Sequence, residues 1–285
     1  MKPAAILMLL LLGLPAHADV ATAFEAFEAR DYAAASESLK ALTANGNTSG
    51  DVLFRLAASE FRRGNIKAAQ SHLDAMTDAG LERLDALMLQ GMVHMARLEE
   101  VSIFRKVGVA KSALTAWQSA AELDPEFAAA HYAVLSYYAN APGIAGGDRD
   151  KARGMLPTLE ALDPMYAAVA SGVLASKDKD FASAETAFRR ATSIDDERAM
   201  PWFSLAQHYY QQEAYDDALA ALDVYETREQ SWQDPDAATI TYFRGMALQK
   251  QGKHTEAKTV LNRSLQMDPG PRLKARIQEA LATSR

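Results

Sequence analysis

Three methionines, Met88, Met92 and Met95, recur at i, i+4 and i+7, with His94 beside the last. Thioethers are soft donors suited to Cu(I), so the set raises a metal reading. The same spacing is that of one packed face of a helix, and His94 would point about 100° away from Met95 around it. No metal ligand is therefore assigned. A second candidate is Gly143-Ile144-Ala145-Gly146-Gly147-Asp148, whose glycines could cradle a phosphate. It lacks the Lys-Ser/Thr ending and the preceding strand of a phosphate loop. Pro142 stopping one helix, glycines permitting positive φ, and Asp148 or Asp150 capping the next helix account for it. The sequence has no cysteine, no Gly-x-Ser-x-Gly elbow and no HExxH. The histidines (His17, His72, His94, His131, His208 and His254) are scattered. The pairs Asp195-Asp196 and Asp216-Asp217 fall at helix starts, where they complement the dipole. No catalytic residue and no cofactor is expected, and the chain is not read as an enzyme.

The elements that would carry these residues show themselves through small side chains. An alanine recurs at Ala35, Ala69, Ala113, Ala152, Ala184, Ala218 and Ala257. Four residues after each stands Leu39, Leu73, Trp117, Leu156, Phe188, Leu222 or Leu261. Such i, i+4 pairs lie on one helix face. A close helix crossing tolerates only a small side chain, and bulky residues a turn away fill the flanking space. A second series, Ala57, Gly91, Gly172, Ala206 and Gly245, supplies the small residue of the facing helices. Leu123-Asp124-Pro125, Leu162-Asp163-Pro164 and Met267-Asp268-Pro269 punctuate the repeats. Proline ends one helix at the residue before it and fits the first turn of the next.

The pattern is fullest in Ala199 to Glu226, with Trp202, Leu205, Ala206 and Tyr209 on a first helix and Tyr215, Ala218, Leu222 and Tyr225 on a second. This resembles the tetratricopeptide repeat (TPR), a helix-turn-helix unit of about 34 residues. The resemblance implies an all-α fold: an α-solenoid of about seven hairpins in a right-handed superhelix, with Pro271 to Thr283 as a C-terminal capping helix. Inserts interrupt the period near 99–108, 141–148 and 227–236. Val101, Ile103, Phe104 and Val107 make the first insert apolar enough to pack. Ser102 to Pro125, with Tyr137 to Arg153, is similar to a subgroup of exported bacterial TPR proteins carrying a PGIAGG-type loop.

Residues 1–18 read as a signal peptide. Met1-Lys2 is positive, Ala4 to Leu14 is apolar, and Ala16-His17-Ala18 is an A-x-A site, so the mature solenoid is expected to span 19–285. Eleven apolar residues cannot span about 30 Å of hydrocarbon. Export without disulfides suits a soluble periplasmic protein whose core needs no staples, with no stable membrane insertion after cleavage. The formal charge of −7, from 30 Lys and Arg against 37 Asp and Glu, argues against nucleic acid or anionic membrane as the main partner.

In the family, the first helices line a concave groove at positions two, five, nine and twelve of each repeat. That register selects Phe54, Phe61, Met88, Met92, Tyr132, Tyr166, Phe203, Gln207, Tyr210 and Tyr242 as a partner-binding surface, with Met95 and Met246 alongside. Aromatic and methionine side chains give large, adaptable contact area. The expectation is a non-catalytic scaffold that holds another envelope protein or a peptide. The alternative is a small-molecule or transporter-associated binding component, with an apolar ligand under the 102–108 insert.

Overall fold

The computed structural model describes residues 19–283, so the expected signal peptide lies outside it. Fourteen of its α-helices pair as hairpins: α1 (Val20–Glu28) with α2 (Tyr32–Ala44), α3 (Gly50–Arg62) with α4 (Ile66–Asp78), α5 (Leu84–Arg97) with α6 (Ile103–Leu123), α7 (Ala128–Asn140) with α8 (Arg149–Leu162), α9 (Pro164–Lys177) with α10 (Phe181–Ile194), α11 (Met200–Gln211) with α12 (Tyr215–Tyr225), and α13 (Ala237–Lys250) with α14 (His254–Gln266). The last helix, α15 (Pro271–Thr283), covers α14. Among the described residues there is no strand, only an isolated parallel bridge between Arg198 and Glu229. The chain is an α-solenoid of seven hairpins with a cap.

The seven repeat alanines are all fully buried. Their partners explain why the facing helices carry glycine. A Cβ at Gly91 would lie 2.2 Å from Trp117, and those at Gly172 and Gly245 would lie 2.7 Å from Phe188 and Leu261. Trp117, Phe188 and Leu261, each four places after a repeat alanine, thus rest on bare backbone of the paired helix. The Trp117 Nε1 also donates to the Met88 carbonyl at 3.2 Å. Burial of each such side chain contributes about 1.5–3 kcal/mol.

A backbone signature accompanies the alanines. Arg30, Gly64, Lys179, Glu213 and Gly252 all adopt positive φ, between 60° and 76°. Each stands five residues before its repeat alanine. The next amide reaches back across the turn, as in Asp31 N to Ala26 O (2.9 Å) and Ala214 N to Tyr209 O (2.9 Å). This left-handed C′ residue closes the first helix and starts the second without a longer loop. Asp31 and Asp180 then cap the following helices through Ala34 N and Ser183 N.

The two irregular hairpins depart from this turn in different ways. Between α7 and α8, Gly143–Ala145 forms a single 3-10 turn. Gly146 takes φ 93°, and a Cβ at Gly147 would sit 1.7 Å from the Ala141 carbonyl oxygen. Asp148 caps α8 by accepting from Asp150 N and Lys151 N, both at 3.0 Å. Between α5 and α6 the sequence expectation needs correction. The 99–108 insert does not pack as an apolar loop. Most of it is added helix, so α6 runs to 21 residues against 14 for α5. Ile103 and Phe104 are 71% and 94% exposed.

The stack curls until its ends meet. Gly64, in the α3–α4 turn, packs on Gly270 and Pro271 at the start of α15, and a Cβ at Gly270 would lie 2.5 Å from the Arg63 carbonyl oxygen. Arg272 pairs with Glu99. The third insert, 227–236, completes the closure by folding back into the concave side, where it meets the first two hairpins.

Candidate functional site

The insert after α12 is held at both of its flanks. Glu229 N donates to Glu197 O at 2.8 Å and Ala199 N to Glu229 O at 3.0 Å, tying it to the segment before α11. Tyr225, at the end of α12, donates to the Pro235 carbonyl at 2.8 Å. Ser231 N and Oγ both donate to Asp234 Oδ2, at 2.7 and 2.9 Å, which fixes the tip. Across the groove, Arg30 Nη2 donates to the carbonyls of Asp234 (2.9 Å) and Pro235 (2.7 Å), and its other terminal nitrogen meets Gln230. Arg62 Nε donates to the Trp232 carbonyl at 2.6 Å. The Trp232 ring stands edge-on to Phe54, with centroids 5.4 Å apart at 81°. Burial draws the Arg62 pKa down, and nearby acidic groups offset this only in part.

This arrangement divides the expected groove. Phe54 is 4% exposed, covered by Trp232 and Phe27, so it does not face an open surface. Phe61 is half-buried on the same core. By contrast, Met88, Met92, Tyr132 and Tyr166 surround one cavity of about 890 Å³. Met95 of α5, Leu98 just after it, Trp117 of α6, Tyr137 of α7 and Met165 of α9 extend its apolar wall. Residues 229–234 form the facing side. The 102–108 insert, under which the alternative reading placed an apolar ligand, does not line this cavity. The cavity lies within the size range of sites that enclose small ligands or single anchoring side chains.

The charged groups of the cavity wall are Arg198, Glu229 and Asp234. Tyr132 and Tyr166 stack at 5.0 Å, and burial pushes the Tyr166 hydroxyl up to about 12. Arg198 lies 5.5 Å over Tyr166. Burial works against its charge, but Asp163 (3.0 Å) and Asp195 (2.5 Å) outweigh that and hold the guanidinium ionised. Engaged by both carboxylates, Arg198 closes the rim in a cluster of net charge −1. His94 does not join the methionines at the cavity, so the soft-metal set is split.

The remaining expected residues lie elsewhere. Gln207 lines a smaller, polar recess of about 340 Å³ together with Tyr132, Ser136, Ser176 and His208. Phe203 packs against Tyr225 and Phe243, both at 5.8 Å, and Tyr210 against Phe243 at 4.9 Å and Tyr215 at 5.5 Å. Tyr242 sits at the last core cluster, with Arg276 over its ring at 5.4 Å. The contacts to Tyr225 and Tyr215 close the α11–α12 hairpin, and those to Phe243 join it to the next one. The sequence reading missed the inserted loop as part of the site. Its signal was a lone tryptophan in a lengthened, otherwise polar segment.

Residues 169–235 and 238–271 match family models described as tetratricopeptide repeat. The chain contains tetratricopeptide repeats. A tetratricopeptide repeat protein from Parabacteroides merdae has a similar structure at 16% identity, with a TM-score of 0.54 over 93% of this chain and 96% of that one. A thermophilic TPR protein of Thermus thermophilus is 19% identical, with a TM-score of 0.47 over 80% of this chain and 95% of its own. No curated protein matches the sequence. The TPR fold is generally a scaffold for protein–protein interaction, and proteins built from it are typically non-catalytic. Among the described residues no helix is long and apolar enough to cross a membrane.

Proposed function

We propose that this is an exported, non-catalytic TPR scaffold of the bacterial periplasm, and that it holds a short apolar segment of another envelope protein in the cavity beside α5. The observation that carries this reading is the cavity itself. Met88, Met92, Met95, Tyr132 and Tyr166 present adaptable and aromatic surface, with no uncompensated charge among them. A chain lying along the whole concave face would collide with Trp232 at Phe54. The proposed occupant is therefore one or two bulky side chains from a terminus or loop. Phe61, Phe203, Gln207, Tyr210 and Tyr242 lie outside this cavity and are left out of the proposed contact.

The test is photocrosslinking in cells from a benzophenone amino acid at Met95, which is 39% exposed. A defined envelope protein should be captured, and Met92→Glu should abolish the capture while leaving the thermal midpoint intact. The same preparation reports export, since the mature mass should begin at Asp19. Capture that survives Met92→Glu would overturn the assignment of the site.

A second reading rests on the volume: about 890 Å³ also fits a small apolar molecule. That molecule would co-purify and appear as a discrete added mass in native mass spectrometry.

A further inference from the structure

The most anomalous side chains of the protein lie on its outside. Phe104 is 94% exposed, Ile103 71% and Ile144 77%. The other exposed large apolar residues, such as Met95, Leu123 and Ile194, are no more than half uncovered. Ile103 and Phe104 open the helical extension of α6, and Ile144 stands on the 3-10 turn that packs against α6. All three apolar groups thus project from α6 or from the turn packed on it. An isolated exposed leucine needs no account, but a near-naked Phe-Ile pair at the start of a projecting helix does.

Charge accompanies them. Arg105, Lys106 and Lys111 follow within two turns, and no Asp or Glu occurs from Ser102 to Ala121. None of the three cations makes an ion pair among the described residues. The chain as a whole carries −7, so this segment is a local reversal of sign. On the acidic side, Glu99 pairs with Arg272, and Asp148 is engaged in capping α8. Asp150 pairs with Arg153, which leaves Glu100 as the exposed neighbouring carboxylate with neither an ion pair nor a capping role.

We infer that the α6 extension and the Gly143–Ala145 turn form a contact for an anionic lipid bilayer, with Ile103, Phe104 and Ile144 entering the headgroup boundary and Arg105, Lys106 and Lys111 facing lipid phosphates. Apolar side chains flanked by unpaired cations are the composition of interfacial binding. Three side chains are far too few for a stable interface with another folded protein, which uses about 800 Å² per partner. The contact is superficial, because α6 carries charge within its 21 residues and is no spanning helix. It would set the scaffold against a membrane face, independently of what fills the cavity.

The experiment uses the whole protein, which has no cysteine, so single labels are clean. An environment-sensitive fluorophore is placed at Ser102→Cys, at Ile144→Cys and, as a remote control, at Thr255→Cys. Vesicles of phosphatidylcholine are compared with vesicles in which about one-third is phosphatidylglycerol. The first two labels should brighten with the anionic vesicles only, and the control should stay silent. In co-sedimentation, Phe104→Ser should weaken binding about tenfold or more. Arg105→Gln and Lys111→Gln should each weaken it roughly fivefold, and added salt should do the same. Since Phe104 touches little, Phe104→Ser and the milder Phe104→Ala should both keep the wild-type thermal midpoint. Failure to bind anionic vesicles, equal binding to neutral ones, or indifference to Phe104→Ser would each overturn the inference. A soluble protein captured at Ser102→Cys in the absence of vesicle binding would assign the patch to that protein instead.

Discussion

Two stretches of the concave face, built from the same repeat, end in opposite states. At the first two hairpins the face is filled from within: Trp232 lies on Phe54, and Arg30 and Arg62 hold the carbonyls of its loop. At the third to fifth hairpins the face is hollow, lined by methionine and tyrosine. Phe54 and Met88 occupy equivalent places, each three residues before the small residue of its helix, Ala57 and Gly91. Register alone therefore does not make a residue available. Availability is decided by a loop that belongs to neither hairpin and arrives from the far end of the stack.

The contrast can be tested by truncating side chains on each side. Phe54→Ala removes a ring packed between Phe27 and Trp232 and should cost about 3–5 kcal/mol in chemical denaturation. Arg62→Ala deletes a charged donor to the Trp232 carbonyl and should cost about 1.5–3 kcal/mol, with a red shift of Trp232 emission as the loop loosens. Near this same end, Glu60 is 1% exposed and bonded to Lys40 (2.5 Å), Asn65 (2.7 Å) and Ser36. Burial alone would raise its pKa, but the hydrogen bonds from Lys40, Ser36 and Asn65 outweigh burial and hold it below the ordinary value of 4.5. A carboxylate depressed on folding contributes stability above its unfolded pKa and loses it as pH falls through the folded one. Glu60→Gln should therefore flatten the acid limb of the stability curve below about pH 4.5, read by thermal melts across pH. Met92→Ala, facing the hollow region, should change stability least, by less than about 1 kcal/mol, because its outer atoms already border solvent. If Met92→Ala proved as costly as Phe54→Ala, the two regions would not differ as described.

Much of the stack could be read from side-chain size. The repeat alanines and their bulky followers mark crossings, and Pro271 to Thr283 coincides with α15, because packing volume is written directly in residue type. The left-handed turn residues were hidden where Arg30, Lys179 and Glu213 take a conformation more usual for glycine. No side-chain pattern announces that choice; the demands of the hairpin impose it. The α6 extension was misread because apolar composition suggested packing. Nothing between Ile103 and Val109 stops a helix, and the single Gly108 costs only about 1 kcal/mol. The site was half legible. Met88, Met92, Tyr132 and Tyr166 follow the repeat, whereas the wall at 229–234 depends on contacts such as Arg30 to Gln230, 200 residues apart in sequence. Periodicity carries no information about partners at that distance.

The meeting of Gly64 with Gly270 and Pro271 turns a row into a hoop. A row can fray one unit at a time from an outer edge, and its pitch can stretch like a spring. A hoop closed at the second hairpin leaves fewer free edges, so its units should melt more nearly in concert. A visitor must come in through a rim, tip first, unless the clasp at Arg30 and Arg62 is undone.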